Sequence, residues 1–122
     1  MKICLKKSKP LFIAGVYRPP SRGSQLESTE NICTYLINSI RKLPDQGEFF
    51  ILGDFNTDML TKNALSSKIN ELCSSLSSKQ LIEEPTRVTE NSSTLIDLIL
   101  ANSSCVSKAG VFHLGISDHS LI

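Results

Sequence analysis

Short apolar runs alternate with segments of helical periodicity along this chain. Residues 11–17, 48–52 and 95–101 are nearly continuous apolar runs flanked by Pro, Gly or polar residues. Such runs are typical of buried strands. Asp97 is the one charged residue inside the third run, and it therefore needs a separate explanation.

Two amphipathic helices are predicted between these strands. Ser24 and Glu27 have the spacing of a capping box, and Pro44 is expected to end the first helix. The apolar face of the first helix is predicted to contain Ile32, Leu36, Ile40 and Leu43. The second helix repeats apolar residues at Leu65, Ile69, Leu72 and Leu76.

The order of these elements predicts an α/β layered fold. Residues 80–82 and 106–114 are weaker strand candidates. No repeat or linker divides the chain, so residues 1–122 are predicted to form a single domain in which residues 1–10 are a basic lead-in. The final apolar pair, residues 121–122, resembles the start of a strand, so we expect the domain to be incomplete.

Charge is unevenly distributed along the chain. The 122 residues are 40% hydrophobic and 20% charged, which is ordinary for a globular protein and argues against disorder. The first 22 residues hold six basic residues and no acid, whereas the remainder has 7 basic and 12 acidic residues. The basic start could help to hold a phosphate backbone, or it could be only a solubilising flank.

Membrane and zinc-binding classes are disfavoured. No segment approaches the ~20 apolar residues of a membrane span, and the run at 11–17 is too short for a signal peptide. We therefore expect an intracellular protein, nuclear or cytoplasmic, with no membrane partner. The cysteines at 4, 33, 73 and 105 lack the close pairs of a zinc site and are expected to be reduced thiols, mostly in the core.

Asp54 and Asn56 are the first candidates for chemistry. Asp54 follows a buried strand and a glycine, a position from which side chains commonly face a site. If the chain stays extended, Asn56 points to the same side. A carboxylate and an amide together can bind a hard cation and orient a phosphoryl oxygen, although the same residues also form ordinary turns. Asp58 is interpreted as a solvated loop acid.

Asp97 and His119 are predicted to form a pair. An ionised carboxylate inside an apolar run costs several kcal/mol unless it is paired or hydrogen-bonded. By accepting from one imidazole nitrogen, Asp97 would fix the tautomer of His119. The alternative is a structural Asp that caps backbone N–H groups. Asp118 could bind a metal or the attacking water, and His113 is interpreted as a packed or surface histidine.

Three segments together resemble the endonuclease/exonuclease/phosphatase family, whose fold is a sandwich of two mixed β-sheets flanked by helices. These segments are Gly53-Asp54-Phe55-Asn56, Thr94-Leu95-Ile96-Asp97 and Ser117-Asp118-His119. The resemblance implies hydrolysis of phosphodiester or phosphomonoester bonds with Mg²⁺, or alternatively Mn²⁺. By this match the metal ligands are Asp54 and Asp118. Asn56 would orient water or phosphate, and His119, supported by Asp97, would contact the scissile phosphate.

The segment Tyr17-Arg18-Pro19-Pro20 extends the resemblance to the endonucleases fused to reverse transcriptases in LINE-type (non-LTR) retrotransposons. It implies a strand-end aromatic near the phosphate at Tyr17, and substrate or phosphate contacts from Arg18, Thr94 and Ser117. A threonine near the site is either Thr86 or Thr89. The implied partners are DNA and a reverse transcriptase domain in the parent polyprotein.

The early motifs of that family, an Asn and the Glu that is its principal metal ligand, have no counterpart before residue 11. We therefore expect a partial sandwich that lacks its N-terminal strands and its last strand, from a truncated and inactive endonuclease domain. Two alternatives remain open. One is a phosphatase or phosphodiesterase of the same family that acts on a small phosphoester. The other is a non-catalytic remnant that serves only as a binding module.

Overall fold

The computed structural model describes residues 1–3, 9–20, 22–43, 47–103 and 106–122. In chain order the elements are β1 (Lys2–Ile3), β2 (Leu11–Tyr17), α1 (Gln25–Ile40), β3 (Glu48–Asp54), α2 (Ala64–Ser75), β4 (Lys79–Gln80), β5 (Arg87–Val88), β6 (Ser93–Thr94) and β7 (Asp97–Ala101). A mixed sheet has the strand order β1-β2-β3-β7-β4, and β5 with β6 forms a two-stranded antiparallel sheet. Within the mixed sheet only β2 and β3 are parallel neighbours.

Both predicted helices are present, and each begins at a side-chain cap. The Ser24 hydroxyl accepts a hydrogen bond from the backbone N–H of Glu27 at the start of α1. Asn63 caps α2 by accepting from the N–H groups of Leu65 and Ser66. Such caps satisfy N–H groups that have no partner within the helix. Helix α1 ends at Ile40, before Pro44, which lies outside the described residues.

The core lies between the two helices and the central strands. Alternate residues of β3 and β7, among them Ile51 and Leu98, are fully buried against α1 and α2. Cys33 and Cys73 are free thiols in this core, and burial raises the pKa of Cys33 to about 11. Cys33 and Cys73 therefore lie where the sequence predicted, as free thiols in the core, whereas Cys4 and Cys105 lie outside the described residues.

The predicted α/β class is confirmed, since a mixed sheet and an antiparallel sheet are flanked by two helices. The second sheet is antiparallel rather than mixed. The strand expected at 106–114 is wrong: its described residues form only an isolated bridge between Phe112 and Leu121, and Phe112 is exposed. An apolar run alone does not make a strand where no neighbouring strand pairs with it. Among the described residues, no helix is long and apolar enough to cross a membrane.

Candidate active site

Two aspartates meet where β3 ends and β7 begins. These strands are antiparallel neighbours, and their register places Asp54 directly opposite Asp97. Directly opposite side chains lie on the same face of a sheet, with Cβ atoms about 4.5–5.5 Å apart. Asp97 is the first residue of β7, so its carboxylate lies at a strand end where it is partly exposed, although the residues on both sides of it are buried.

His119 reaches this aspartate pair from the C-terminal segment. Its Nδ1 lies 3.0 Å from Asp97 Oδ2 and 3.2 Å from Asp97 Oδ1. The predicted contact between Asp97 and His119 is therefore present. An ionised carboxylate can only accept hydrogen bonds, so Nδ1 carries the proton. The other ring nitrogen, Nε2, is then available to contact a substrate. The side chain of Asp97 is 13% exposed and that of His119 is 35% exposed, so the pair is accessible from solvent.

Thr86 holds the Asp97 segment in place. Its Oγ1, fully buried, accepts hydrogen bonds from the backbone N–H groups of Ile96 and Asp97, at 3.2 and 2.9 Å. Its backbone carbonyl accepts from Ser120 N–H, next to His119. Thr89 instead bonds Ser92 across the β5–β6 turn. The structure therefore places Thr86, rather than Thr89, beside the aspartate and histidine.

The turn after Asp54 is fixed by side-chain hydrogen bonds. Asp54 Oδ1 accepts from the backbone N–H of Asn56 at 2.7 Å, and Asn56 has a positive φ of 45°. The side-chain amide of Asn56 donates to the carbonyl of Arg18 at 2.7 Å. Tyr17 lies opposite Asp54 in the β2–β3 register and is largely exposed. The register thus places Tyr17 next to Asp54 at the strand end.

Asp118 lies apart from this pair. Its Oδ2 accepts from Arg87 Nε at 2.7 Å, and this hydrogen bond lowers the pKa of Asp118. Asp118 ends a bend at residues 115–118, and its side chain contacts Arg87 whereas that of the next residue, His119, contacts Asp97. Among the described residues Asp54, Asp97 and His119 form a group that could hold a metal ion, and Asp118 is not part of it. A metal-binding role of Asp118 stays a prediction.

Ser117 and Thr94 are engaged mainly with nearby backbone. The Ser117 hydroxyl accepts from the N–H of His119 at 3.1 Å and therefore shapes the loop that presents the histidine. Thr94 lies in β6, where its carbonyl accepts from the N–H of Thr86. Direct contacts from these two residues to a substrate stay predictions. His113 is exposed and its Nδ1 lies 2.7 Å from Ser120 Oγ, in agreement with its interpretation as a surface histidine.

Arg18 is placed differently from the prediction. It was expected to contact a substrate phosphate, but it is only 3% exposed. Its Nε donates to the carbonyl of Phe55, and its Nη2 donates to the carbonyl of Asn56. Burial beneath the turn after Asp54 leaves the guanidinium without open access to a substrate.

Asp58 makes more hydrogen bonds than expected of the solvated loop acid that the sequence indicated. Its Oδ1 accepts from the backbone N–H groups of Leu60 and Leu95, and its Oδ2 accepts from the Thr61 hydroxyl. The local contacts follow the usual pattern of an Asp in a turn. The contact with Leu95 joins the loop after β3 to the segment before Asp97. The two residues are 37 positions apart, so local sequence does not reveal this contact.

We expect Asp58→Ala to lower the free energy of unfolding by about 1–3 kcal/mol, because Leu95 N–H would lose its acceptor. Burial alone would raise the pKa of Asp58, but hydrogen bonds from Leu95, Thr61 and Leu60 outweigh it and hold the pKa below its usual value. The carboxylate therefore stabilises the fold above the unfolded pKa of about 3.9, and this contribution is lost as the pH falls through the folded value.

Chemical denaturation between neutral pH and pH ~3 measures this effect. Asp58→Asn is the control, since it has no titrating carboxyl but keeps an acceptor oxygen for Leu95. Asp118 also has a lowered pKa, so only the difference between wild type and Asp58→Asn reports on Asp58. An identical acid dependence in both proteins would contradict the prediction.

The donor set of the aspartate pair and His119 suits a divalent cation. The ligating atoms of Asp54, Asp97 and His119 all lie within 4.8 Å of one another. Ligands on opposite sides of Mg²⁺ or Ca²⁺ are separated by about 4–5 Å, and carboxylate oxygens are the ligands that these ions prefer. The residues present therefore fit a hard cation held chiefly by the two carboxylates.

Comparisons with known proteins agree with this fold. The family model described as endonuclease-reverse transcriptase matches residues 11–122. An endonuclease/exonuclease/phosphatase family protein from Leptotrichia buccalis C-1013-b is similar in structure, with a TM-score of 0.62 and 17% identity. That match covers 98% of this chain and 49% of the other, so the chain spans about half the length of that protein. No curated protein matches the chain.

The fold is therefore that of endonuclease/exonuclease/phosphatase domains, a class that is generally metal-dependent. Within this class the chain belongs to the endonuclease-reverse transcriptase family.

Proposed function

We propose that this chain is part of a Mg²⁺-dependent DNA endonuclease domain of a retrotransposon reverse transcriptase polyprotein. The observation that carries the proposal is the convergence of Asp54, Asp97 and His119 at one edge of the sheet. DNA would be the substrate, and a reverse transcriptase domain would be the partner within the same polyprotein. The endonuclease-reverse transcriptase family match supports both.

Asp54 would hold the cation and accept a proton from the attacking water. The Nε2 of His119 would contact the scissile phosphate, where an imidazole can donate a proton or stabilise developing negative charge. Asp97 would keep the His119 ring oriented for this contact. When bound, Mg²⁺ would supply Lewis-acid polarisation of a phosphoryl oxygen. Mn²⁺ would fit the same ligands.

We further propose that the 122-residue chain on its own binds the cation but does not nick DNA. With Asp97 bonded to His119 Nδ1 and Nε2 turned to the phosphate, Asp54 would be the chief protein ligand for a strongly hydrated divalent ion, and the chain spans only half of its structural relative. Titration of the purified chain with Mn²⁺, followed by electron paramagnetic resonance of the free ion, measures binding. Clear Mg²⁺-dependent plasmid nicking by the chain alone would contradict its inactivity.

We expect Asp54→Ala to reduce DNA nicking about 10²–10⁴-fold, because it removes both a cation ligand and the acceptor of the water proton. The assay follows relaxation of supercoiled plasmid with Mg²⁺ by an endonuclease-reverse transcriptase protein that contains this chain as a segment. Gly15→Ala, which alters an open surface position, is the control. Hydrolysis of a soluble phosphoester without any nicking would instead favour a phosphatase of the same family.

A further inference from the structure

Arg18 makes an unusual set of contacts with a single loop. Its Nε donates to Phe55 O at 2.5 Å, and its Nη2 donates to Asn56 O at 2.6 Å. Nη2 also lies 3.3 Å from Thr57 Oγ1. All three acceptors belong to the three residues that follow Asp54. The guanidinium therefore spans the whole turn that carries this aspartate.

The backbone of Arg18 closes the same turn from the other side. Its N–H donates to the carbonyl of Asp54 at 2.8 Å, and its own carbonyl accepts from the side-chain amide of Asn56 at 2.7 Å. Asn56 has a φ of 45°, a left-handed conformation that asparagine adopts more readily than most non-glycine residues. Arg18 contacts this turn through both its side chain and its backbone and thereby fixes the position of Asn56.

Fold stability alone is a poor explanation for this arginine. Burying a charged group is costly, and an apolar residue of similar volume often serves a core equally well. Burial lowers the pKa of Arg18, although Asp54 opposes this shift. Among the described residues its Nη1 has no hydrogen-bond acceptor, so the cost of burial is only partly offset. The contacts that Arg18 does make all serve the geometry of the turn.

We propose that Arg18 is a positioning residue that sets the orientation of Asp54 and Asn56 and thereby the affinity of the site for a divalent cation. The inference rests on the proposed function, because it assumes that Asp54 is a cation ligand. A planar guanidinium can bond two successive carbonyls at once in a fixed geometry, which a lysine ammonium on its flexible stem does not reproduce. Positioning of the turn therefore requires the guanidinium of Arg18, and a positive charge at this position is not sufficient.

The test uses the purified 122-residue chain with Mn²⁺ as the probe. We expect Arg18→Lys to weaken Mn²⁺ binding about tenfold to a hundredfold, the range typical of residues that orient metal ligands. In the absence of metal, we expect hydrogen exchange at the Asn56 amide to accelerate, because its acceptor is Asp54 Oδ1 within the turn. Both Mn²⁺ affinity and Asn56 exchange are measured, because only the exchange rate reports on the turn in the absence of the cation.

Two core variants remote from the site separate positioning from general stability. Ile69→Val and Leu36→Ala remove buried methyl groups from α2 and α1, and together they bracket mild and severe losses of stability. Under conditions where all proteins stay folded, we expect neither to change Mn²⁺ affinity. The inference is overturned if a core variant that loses as much stability as Arg18→Lys also shows the same changes in Mn²⁺ affinity and in Asn56 exchange. Arg18 would then be only a structural residue.

Thr57→Val provides the same test if Arg18→Lys fails to fold. It removes one acceptor of Nη2 and keeps the volume of a buried side chain, so a smaller loss of Mn²⁺ affinity and faster Asn56 exchange are expected. No change in either readout would overturn the inference. If the wild-type chain binds no Mn²⁺, the proposed cation site fails, and the Asn56 exchange rate alone then decides the positioning role of Arg18.

Discussion

Under the proposed function, Asp97→Asn is expected to slow DNA nicking by a protein that contains this chain about 10³–10⁴-fold, an effect of the size seen when a histidine loses its orienting carboxylate. The ionised Asp97 can only accept, so it holds the proton of His119 on Nδ1. An asparagine has an NH₂ group that can donate to Nδ1, which would move the ring proton to Nε2. The neutral amide also cannot stabilise the doubly protonated imidazolium, the form in which Nε2 can donate to the phosphate while Nδ1 stays bonded to residue 97.

Nitrogen-15 NMR of the histidine rings tests the same prediction in the 122-residue chain without any enzymatic activity. In wild type we expect the neutral His119 ring to be protonated at Nδ1, and in Asp97→Asn we expect population of the Nε2 tautomer. His113→Gln assigns the signals and is the matched control, because His113 is the only other histidine in the sequence. An unchanged tautomer together with unchanged nicking would show that Asp97 does not orient His119.

The pairing of Asp97 with His119 could be predicted because a strong physical constraint acts on the sequence. A carboxylate inside an apolar run must find a partner, and few candidates exist in the chain. Strand β2 was predicted with its observed bounds for a related reason, since Pro10 and the Arg18-Pro19 pair limit an apolar run on both sides. Where one local feature contributes most of the free energy that fixes a contact or an element's bounds, the sequence alone is sufficient to predict it.

The contacts of Arg18, Asp118 and Thr86 could not be predicted in the same way. Each depends on which distant segment approaches, and the separations are 37 residues for Arg18 to Phe55 and 31 for Arg87 to Asp118. An arginine near a proposed phosphate site is equally compatible with a surface contact and a buried one. Thr86 and Thr89 lie three residues apart in the same mainly polar segment, and only the tertiary fold distinguishes them.

Gly53→Ala is expected to lower the free energy of unfolding by more than about 3 kcal/mol, which is a severe loss for one methyl group. Gly53 has a φ of 143°, in a region that L-residues rarely adopt. A Cβ built on it would lie 1.8 Å from the carbonyl oxygen of Val16 in the neighbouring strand. That contact is with backbone, so no side-chain rotation can relieve it, and β2 and β3 would have to separate.

Gly15→Ala is the matched control, because Gly15 lies one residue from Val16 in the same strand pair and a Cβ there meets nothing within 4 Å. We expect it to be neutral or stabilising by up to about 1 kcal/mol, since alanine reduces the entropy of the unfolded chain. Urea denaturation of both variants measures the difference. Equal midpoints for the two variants would contradict the close approach of β2 and β3 at Gly53.

The same substitution links the fold to the proposed site. Gly53 immediately precedes Asp54, and the parallel register of β2 and β3 places Tyr17 and Arg18 next to that aspartate. If the strands separate at Gly53 and the chain still folds, the hydrogen bond from Arg18 N–H to Asp54 O should break first, because it lies directly beyond the clash. Gly53→Ala should then weaken Mn²⁺ binding as Arg18→Lys does, although Gly53 has no side chain to offer the cation.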